Sequence, residues 1–138
     1  MGFLGALGIS GSGLTAERLR MDVISSNIAN AESTRTQRGG PYRRQQVVFT
    51  PLANPGNLAP GGRGVRVSSI VESQDPPRLV YEPGHPDAGP DGNVAYPNVD
   101  ISTEMVDLLS ASRAYEANVT VLNAAKSMAQ RALTIVRR

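Results

Sequence analysis

Few residues of this chain stand at spacings that could do chemistry. His85 is the single histidine, in the turn-like run Gly84-His85-Pro86-Asp87. One imidazole with scattered acids does not make up the ligand set of a metal. Glu104 and Asp107 lie one helical turn apart, as paired carboxylates for acid–base work would. They also fall in the first turns of a predicted helix, where the helix dipole favours negative charge, and that reading accounts for them. Gly8-Ile9-Ser10-Gly11-Ser12-Gly13 has the composition of a phosphate loop. No strand precedes it and no lysine follows, so it fails both phosphate-binding fingerprints. There is no cysteine, which excludes disulfides and thiolate ligands. The net charge is only +2. The arginine pairs Arg43–Arg44 and Arg63–Arg66 read as solvated faces and ion pairs. No basic run is interleaved with aromatics, so nucleic acid is not an expected partner. No catalytic residue, metal, cofactor or small-molecule substrate is expected; the chain reads as a non-enzyme.

The elements carry the information instead. All ten prolines lie between Pro41 and Pro97, so both flanks are free to be helical and the middle is not. From Ile101 the positions spaced alternately four and three residues apart read Ile101, Met105, Leu108, Ser112, Tyr115, Val119, Leu122, Lys126, Ala129, Leu133 and Val136. This is a heptad seam. A second stripe beside it holds Val106, Leu109, Ala114, Val121, Ala125, Met128, Ala132 and Ile135. Asn98 or Asp100 can cap the start. Such a helix is roughly 55 Å long, too long for the core of a small domain and suited to a rod, sheath or bundle of many copies.

Residues 14 to 30 predict the other helix, with Leu7, Leu14, Met21 and Ile28 recurring every seven and Leu4 and Ile24 beside them. Arg18, Arg20 and Asp22 fall largely off that stripe. Five glycines in the first thirteen residues weaken the helix start, at about 1 kcal/mol each relative to alanine. They also allow another backbone to come close. Asn27, Asn30, Ser33 and Thr34 compete for backbone hydrogen bonds and end the helix.

The middle offers three strands: Arg43 to Thr50, Gly64 to Val71, and Arg78 to Tyr81. In the second, Val65, Val67 and Val71 alternate with Arg66, Ser68 and Ile70. The stretch from Pro51 to Gly62 would join the first two strands as a long hairpin. From Pro83 to Pro97 turn signals dominate. The expected fold is therefore mainly α with a small β part. Long N- and C-terminal helices (1–35 and 99–138) pair as an antiparallel coiled-coil-like unit around a Pro/Gly-rich extended and β-hairpin middle (36–98). The first nine residues are apolar but lack the basic start and cleavage site of a secretory signal.

Several short runs give a resemblance. Ser25-Ser26-Asn27-Ile28-Ala29-Asn30-Ala31, closing the first helix, is similar to the signature of flagellar rod and hook axial proteins. Pro41-Tyr42-Arg43-Arg44-Gln45 and Tyr81-Glu82-Pro83-Gly84-His85-Pro86 resemble the proximal-rod branch of that family, as do Tyr96-Pro97-Asn98-Val99 and Glu104-Met105-Val106-Asp107. One departure is Glu32, where many relatives carry Asn. The resemblance implies a structural subunit that assembles into a helical tube, carries motor torque across the periplasm and forms part of the export channel. It implies export by the flagellar type III apparatus without a cleaved signal. Implied partners are copies of itself, the other proximal rod proteins, the rod–ring junction protein, the membrane (MS) ring and the distal rod. The residues alone leave two alternatives: a subunit of another secreted helical assembly, or a binding module that uses its apolar helix face.

Overall fold

The computed structural model describes residues 3–52 and 63–136. Helix α1 spans Phe3–Ala29 and helix α2 spans Ile101–Val136. Between them lie strands β1 (Gln45–Pro51), β2 (Val65–Glu72), β3 (Arg78–Tyr81) and β4 (Asn93–Tyr96). They form two separate two-stranded antiparallel sheets, β1–β2 and β3–β4.

The two helices run antiparallel: Gly13 lies against Asn118, Arg20 reaches Asp107, and Asn27 bonds to Glu104. Their contact face is built from small residues. Ala16, Ala111 and Ala125 are buried in it, and a Cβ on Gly13 would come within 3.0 Å of the Asn118 amide. Small side chains let two backbones approach closely. The glycine-rich start does not delay α1, which is already helical at Phe3, eleven residues before the expected position. At its other end Asn30 turns back onto α1: both its N–H, at 3.1 Å, and its side-chain amide, at 2.9 Å, donate to the Ser26 carbonyl. Asp100, rather than Asn98, caps α2. Its carboxylate accepts from the Ser102 N–H at 3.0 Å and from the Thr103 hydroxyl at 2.8 Å.

The first hairpin rests on α1 and is fastened there by two side chains. At one end the Ser12 hydroxyl accepts from the Val65 N–H at 3.0 Å while donating to Ile9 O at 2.7 Å. The approach is close enough that only glycine fits at position 64, where φ is +129° and an added Cβ would sit 2.2 Å from Ser12 Oγ. At the other end Asn27 holds Gln45. The connection from Pro51 to Gly62 falls almost wholly outside the described residues.

The alternation read for β2 is broken by a bulge. Val48 pairs with Ser69 and Phe49 with Val67, so Ser68 is the extra residue, and its hydroxyl donates to Val48 O at 3.1 Å. Beyond the bulge Ile70, not Val71, is opposite Val47 and continues the face of Val65 and Val67.

Strand β4 lies where only turns were expected. The turn residues occupy 82–92, and Asn93–Tyr96 then returns to pair with β3, Arg78 opposite Tyr96. Val94 and Pro97 are fully buried there.

Candidate functional site: a buried polar clamp and an open helix face

The signature at the end of α1 places Asn27 in the interior, 1% exposed. Its side-chain amide mimics a strand. Nδ2 donates to Gln45 O at 2.8 Å, and Oδ1 accepts from the Gln45 N–H at 2.9 Å. Oδ1 also accepts from the Tyr42 hydroxyl at 3.0 Å, and Nδ2 donates to Glu104 Oε2 at 3.0 Å. Both donors and both acceptor sites of the amide are thus used. Glu104, also 1% exposed, is held from its other side by Arg44, whose Nε lies 2.5 Å from Oε1. Arg44 and Arg20 then share Asp107, at 3.5 and 3.9 Å.

One point therefore joins α1, the start of β1 and the first turn of α2. Glu104 and Asp107 are not simply carboxylates favoured by the helix dipole. They receive the arginines and the amide that lock the helix pair to the hairpin. Arg20 likewise belongs to the interhelical face and not to the solvent side. Periodicity cannot find this clamp, because a polar residue in an apolar seam breaks the pattern that it helps to build.

The other motif residues are arranged around the clamp and the second hairpin. Ser26 Oγ lies 3.5 Å from the Tyr42 hydroxyl, Arg43 is exposed and reaches Ser73 O at 3.4 Å, and Ala29 is exposed. His85 makes a structural contact: Nδ1 accepts from the Asp87 N–H at 3.0 Å, and the ring stands edge-on to Tyr96 at 6.3 Å. The Tyr96 hydroxyl donates to Glu82 at 3.1 Å; partial desolvation first, then that carboxylate, raises the phenol pKa. Asp87 accepts from Thr34 at 2.8 Å and pairs with Arg35, which ties the second hairpin to the chain after α1. The Thr34 hydroxyl is the main cause of a lowered Asp87 pKa; partial burial opposes it and the Arg35 charge assists. Tyr81, Pro83, Gly84, Pro86 and Asn98 are exposed, and Pro97 is buried. Among the described residues no group of three or more potential ligands could hold a metal ion.

Within one chain only part of the expected heptad seam faces α1. Leu108, Tyr115 and Leu122 are half-buried on the α1 side. The row completing that face is Glu104, Ala111, Asn118 and Ala125, one residue before each of Met105, Ser112, Val119 and Lys126. On α1 the buried positions described are Ser10, Ala16, Val23, Ile24 and Asn27, while Leu7, Leu14, Met21 and Ile28 are half-buried beside them.

This leaves α2 with an open apolar surface. Ile101, Met105, Val106, Leu109, Val121, Met128, Leu133 and Ile135 are between 43% and 75% exposed. Four of the seven buried apolar residues described are alanines. On α2 the buried apolar residues are alanines, Ala111 and Ala125, and most of the large apolar side chains are exposed. An exposed apolar face of this extent marks a surface for association. No described helix is long and apolar enough to cross a membrane.

Residues 7–35 match the family model described as flagella basal body rod protein. Residues 91–135 match the one described as flagellar basal body rod FlgEFG protein C-terminal. The chain is 49% identical to the flagellar basal-body rod protein FlgC of Borreliella burgdorferi over 99% of both chains. It is 50% identical to that of Salmonella typhimurium over 98% of both. With the FlgC of Bacillus subtilis it shares 46% identity over 94% of this chain and 95% of the relative.

Proposed function

The chain belongs to the FlgC family of flagellar basal-body rod proteins and is a structural subunit of the rod, and from that premise we propose how it serves there. It assembles laterally and axially with further subunits into a helical tube. The tube transmits motor torque across the periplasm and encloses part of the export channel. The subunit is itself delivered by the flagellar type III apparatus. Its neighbours are copies of itself and the other proximal rod proteins. The membrane ring, the rod–ring junction protein and the distal rod lie beyond them. The role is mechanical, not catalytic.

The observation that carries this reading is the open apolar surface of α2, on a helix already paired on its other side. Contacts between unlike surfaces of successive subunits close into rings or extend as helices, and packed helices make such a structure stiff. The clamp supports the same reading: it fixes the angle between the helix pair and the hairpin, so load on one is passed to the other.

Met128→Asp tests it. Met128 is 60% exposed, so the isolated subunit folds normally. In an assembly the new carboxylate would be buried without a partner, at a cost of several kcal/mol, on the order of the penalty for an unpaired buried charge. The variant is expected to be exported and to stop rod growth, leaving cells without hooks. Wild-type swimming with the variant incorporated at normal level would overturn the assembly role of this face.

A further inference from the structure

Strand β1 turns one edge to β2 and the other away from it. In an antiparallel pair, residues alternate between those whose N–H and C=O face the partner strand and those whose groups point outward. The phase is set at both ends of this hairpin. The Ser73 N–H donates to Arg44 O at 2.8 Å, and the Leu52 N–H donates to Gly64 O at 2.9 Å. With the pairing that runs from Gln45 opposite Glu72 to Pro51 opposite Val65, the backbone groups of Gln45, Val47, Phe49 and Pro51 point outward. The outer edge is closed at both ends. Asn27 takes both groups of Gln45, and Pro51 has no N–H to offer. Edges left open invite another chain, and proteins commonly block them in such ways. Here the block stops short of Val47 and Phe49. Among the described residues no side chain or loop bonds to the backbone of either.

This window is one wall of a groove of about 400 Å³. Helix α1 contributes Arg20, Val23 and Ile24 to the lining, and the first turns of α2 contribute Glu104 and Asp107 on the far side. The lining is therefore mixed, with backbone and charged groups beside a short apolar strip. Arg44 is fully engaged with Glu104 and Asp107. Arg20 is not. It lies 3.6 Å from Glu17 and 3.9 Å from Asp107, both beyond hydrogen-bond length.

We propose that the groove takes an extended segment of a different protein, which adds as a strand to β1 at Val47 and Phe49. Asn27 already shows the mode, because its amide bonds Gln45 as the first residue of an added strand would. The groove selects its occupant. An extended backbone offers a donor and an acceptor at alternate residues and so meets both window positions, whereas a helix has spent its backbone groups internally. A hairpin would drive its second strand into α2. Each described strand of this chain is already half of such a hairpin, so a second copy does not present the lone strand required. The segment carries alternate apolar side chains toward Val23 and Ile24 and an acidic residue beside Arg20. The proposal rests on the rod reading above and specifies the chemistry of one neighbour.

Amide exchange tests the window residue by residue. In the dilute full-length chain the Val47 and Phe49 amides should exchange fast, and those of Gln46 and Thr50, which face β2, slowly. In isolated basal bodies Val47 and Phe49 should slow by about tenfold or more while Gln46 and Thr50 change little. Val48 is 39% exposed and lines the groove. Val48→p-benzoylphenylalanine, expressed in place of the wild-type chain and irradiated in basal bodies, should cross-link to one continuous stretch of a different protein, with alternate apolar residues and an acidic one. Val47→Pro removes a single donor at an edge position, where proline is tolerated. It should lower incorporation several-fold and leave the helicity of the isolated chain unchanged. Unchanged exchange at Val47 and Phe49 in basal bodies would overturn the proposal and leave the rod reading in place. So would Val47→Pro incorporated at the wild-type level, or cross-links that are absent or confined to copies of this chain. Exchange is read on the unaltered chain, so it decides even where the proline variant fails to fold. Absence of the unaltered chain from basal bodies would instead remove the rod reading itself.

Discussion

Asn27 uses every hydrogen-bonding position of its amide, on a tyrosine, a buried carboxylate and both backbone groups of Gln45. Removing it leaves the buried Glu104 and both backbone groups of Gln45 short of a partner, and an unmet buried group costs more than a made bond gains. Asn27→Ala should therefore lose about 3 kcal/mol of unfolding free energy. Asn27→Asp should lose at least as much, because its carboxylate would face Glu104. Urea titration followed by circular dichroism measures both; a change in Asn27→Ala of under about 1 kcal/mol would show that the clamp is not closed in solution. Asp100 makes a prediction in pH. Bonds from the Thr103 hydroxyl, and then the Ser102 N–H, lower its pKa on folding. A group depressed in this way contributes stability that is complete above its unfolded pKa of about 4 and is lost as pH falls through the lower folded value. Asp100→Asn keeps an acceptor without the titration, so its helicity should fall less steeply than wild type at the acid end. Identical acid limbs would contradict the cap.

At the scale of elements, the hairpin is held to α1 by side chains and not by a core. Gly64 sits where a side chain is excluded both by a φ of +129° and by Ser12 Oγ. Gly64→Ala is expected to cost about 1–3 kcal/mol and to free the hairpin from α1. Nuclear magnetic resonance should show it as faster amide exchange at Val65 and its strand while Ala111 and Ala125 keep their protection. Uniform protection across both regions would mean that the hairpin is not an independent unit. The helix pair responds to a different change. Leu122 is half-buried against α1, and Leu122→Asp puts a carboxylate at that contact, which should lower the thermal midpoint by several degrees. Glu116→Gln, on an exposed position, should leave the midpoint unchanged. Equal midpoints for the two variants would place Leu122 outside the seam.

For the molecule as a whole, the distribution of size matters more than the amount of apolar surface. Small residues draw the two helices together, and many of the large apolar side chains of α2 remain exposed. An isolated chain built this way has a thin core. Amide exchange in the dilute chain should be slowest around Ala111 to Ala125, where two helices overlap, and fastest from Gln130 to Ile135, where every residue of α2 is exposed. Strong protection of that segment without assembly would show that it is covered within a single chain.

Much of this was legible in the residues. Proline segregation divided the chain into helix, irregular middle and helix, because proline is excluded from helix interiors wherever they occur. The heptad spacing showed that α2 is long and apolar on more than one side. The motif runs, such as Ser26-Asn27-Ile28-Ala29-Asn30, carry the resemblance to the flagellar axial family in the residues themselves. Strands β1 to β3 could be read because each carries its own β-branched or aromatic run, whereas β4 could not, since Asn93–Tyr96 follows directly on the turn signals of 83–92 and shows itself as a strand only in its pairing with β3. Which part of the seam faces α1 was also out of reach. An apolar pattern selects the largest side chains for the seam, but close antiparallel packing selects Ala111, Ala125 and Gly13 and sends Met105 and Val121 outward. The clamp needed tertiary structure most of all. Asn27, Gln45 and Glu104 are distant in sequence, and the value of a polar group depends on whether burial removes its water and on what replaces it, which only the folded arrangement of three elements decides.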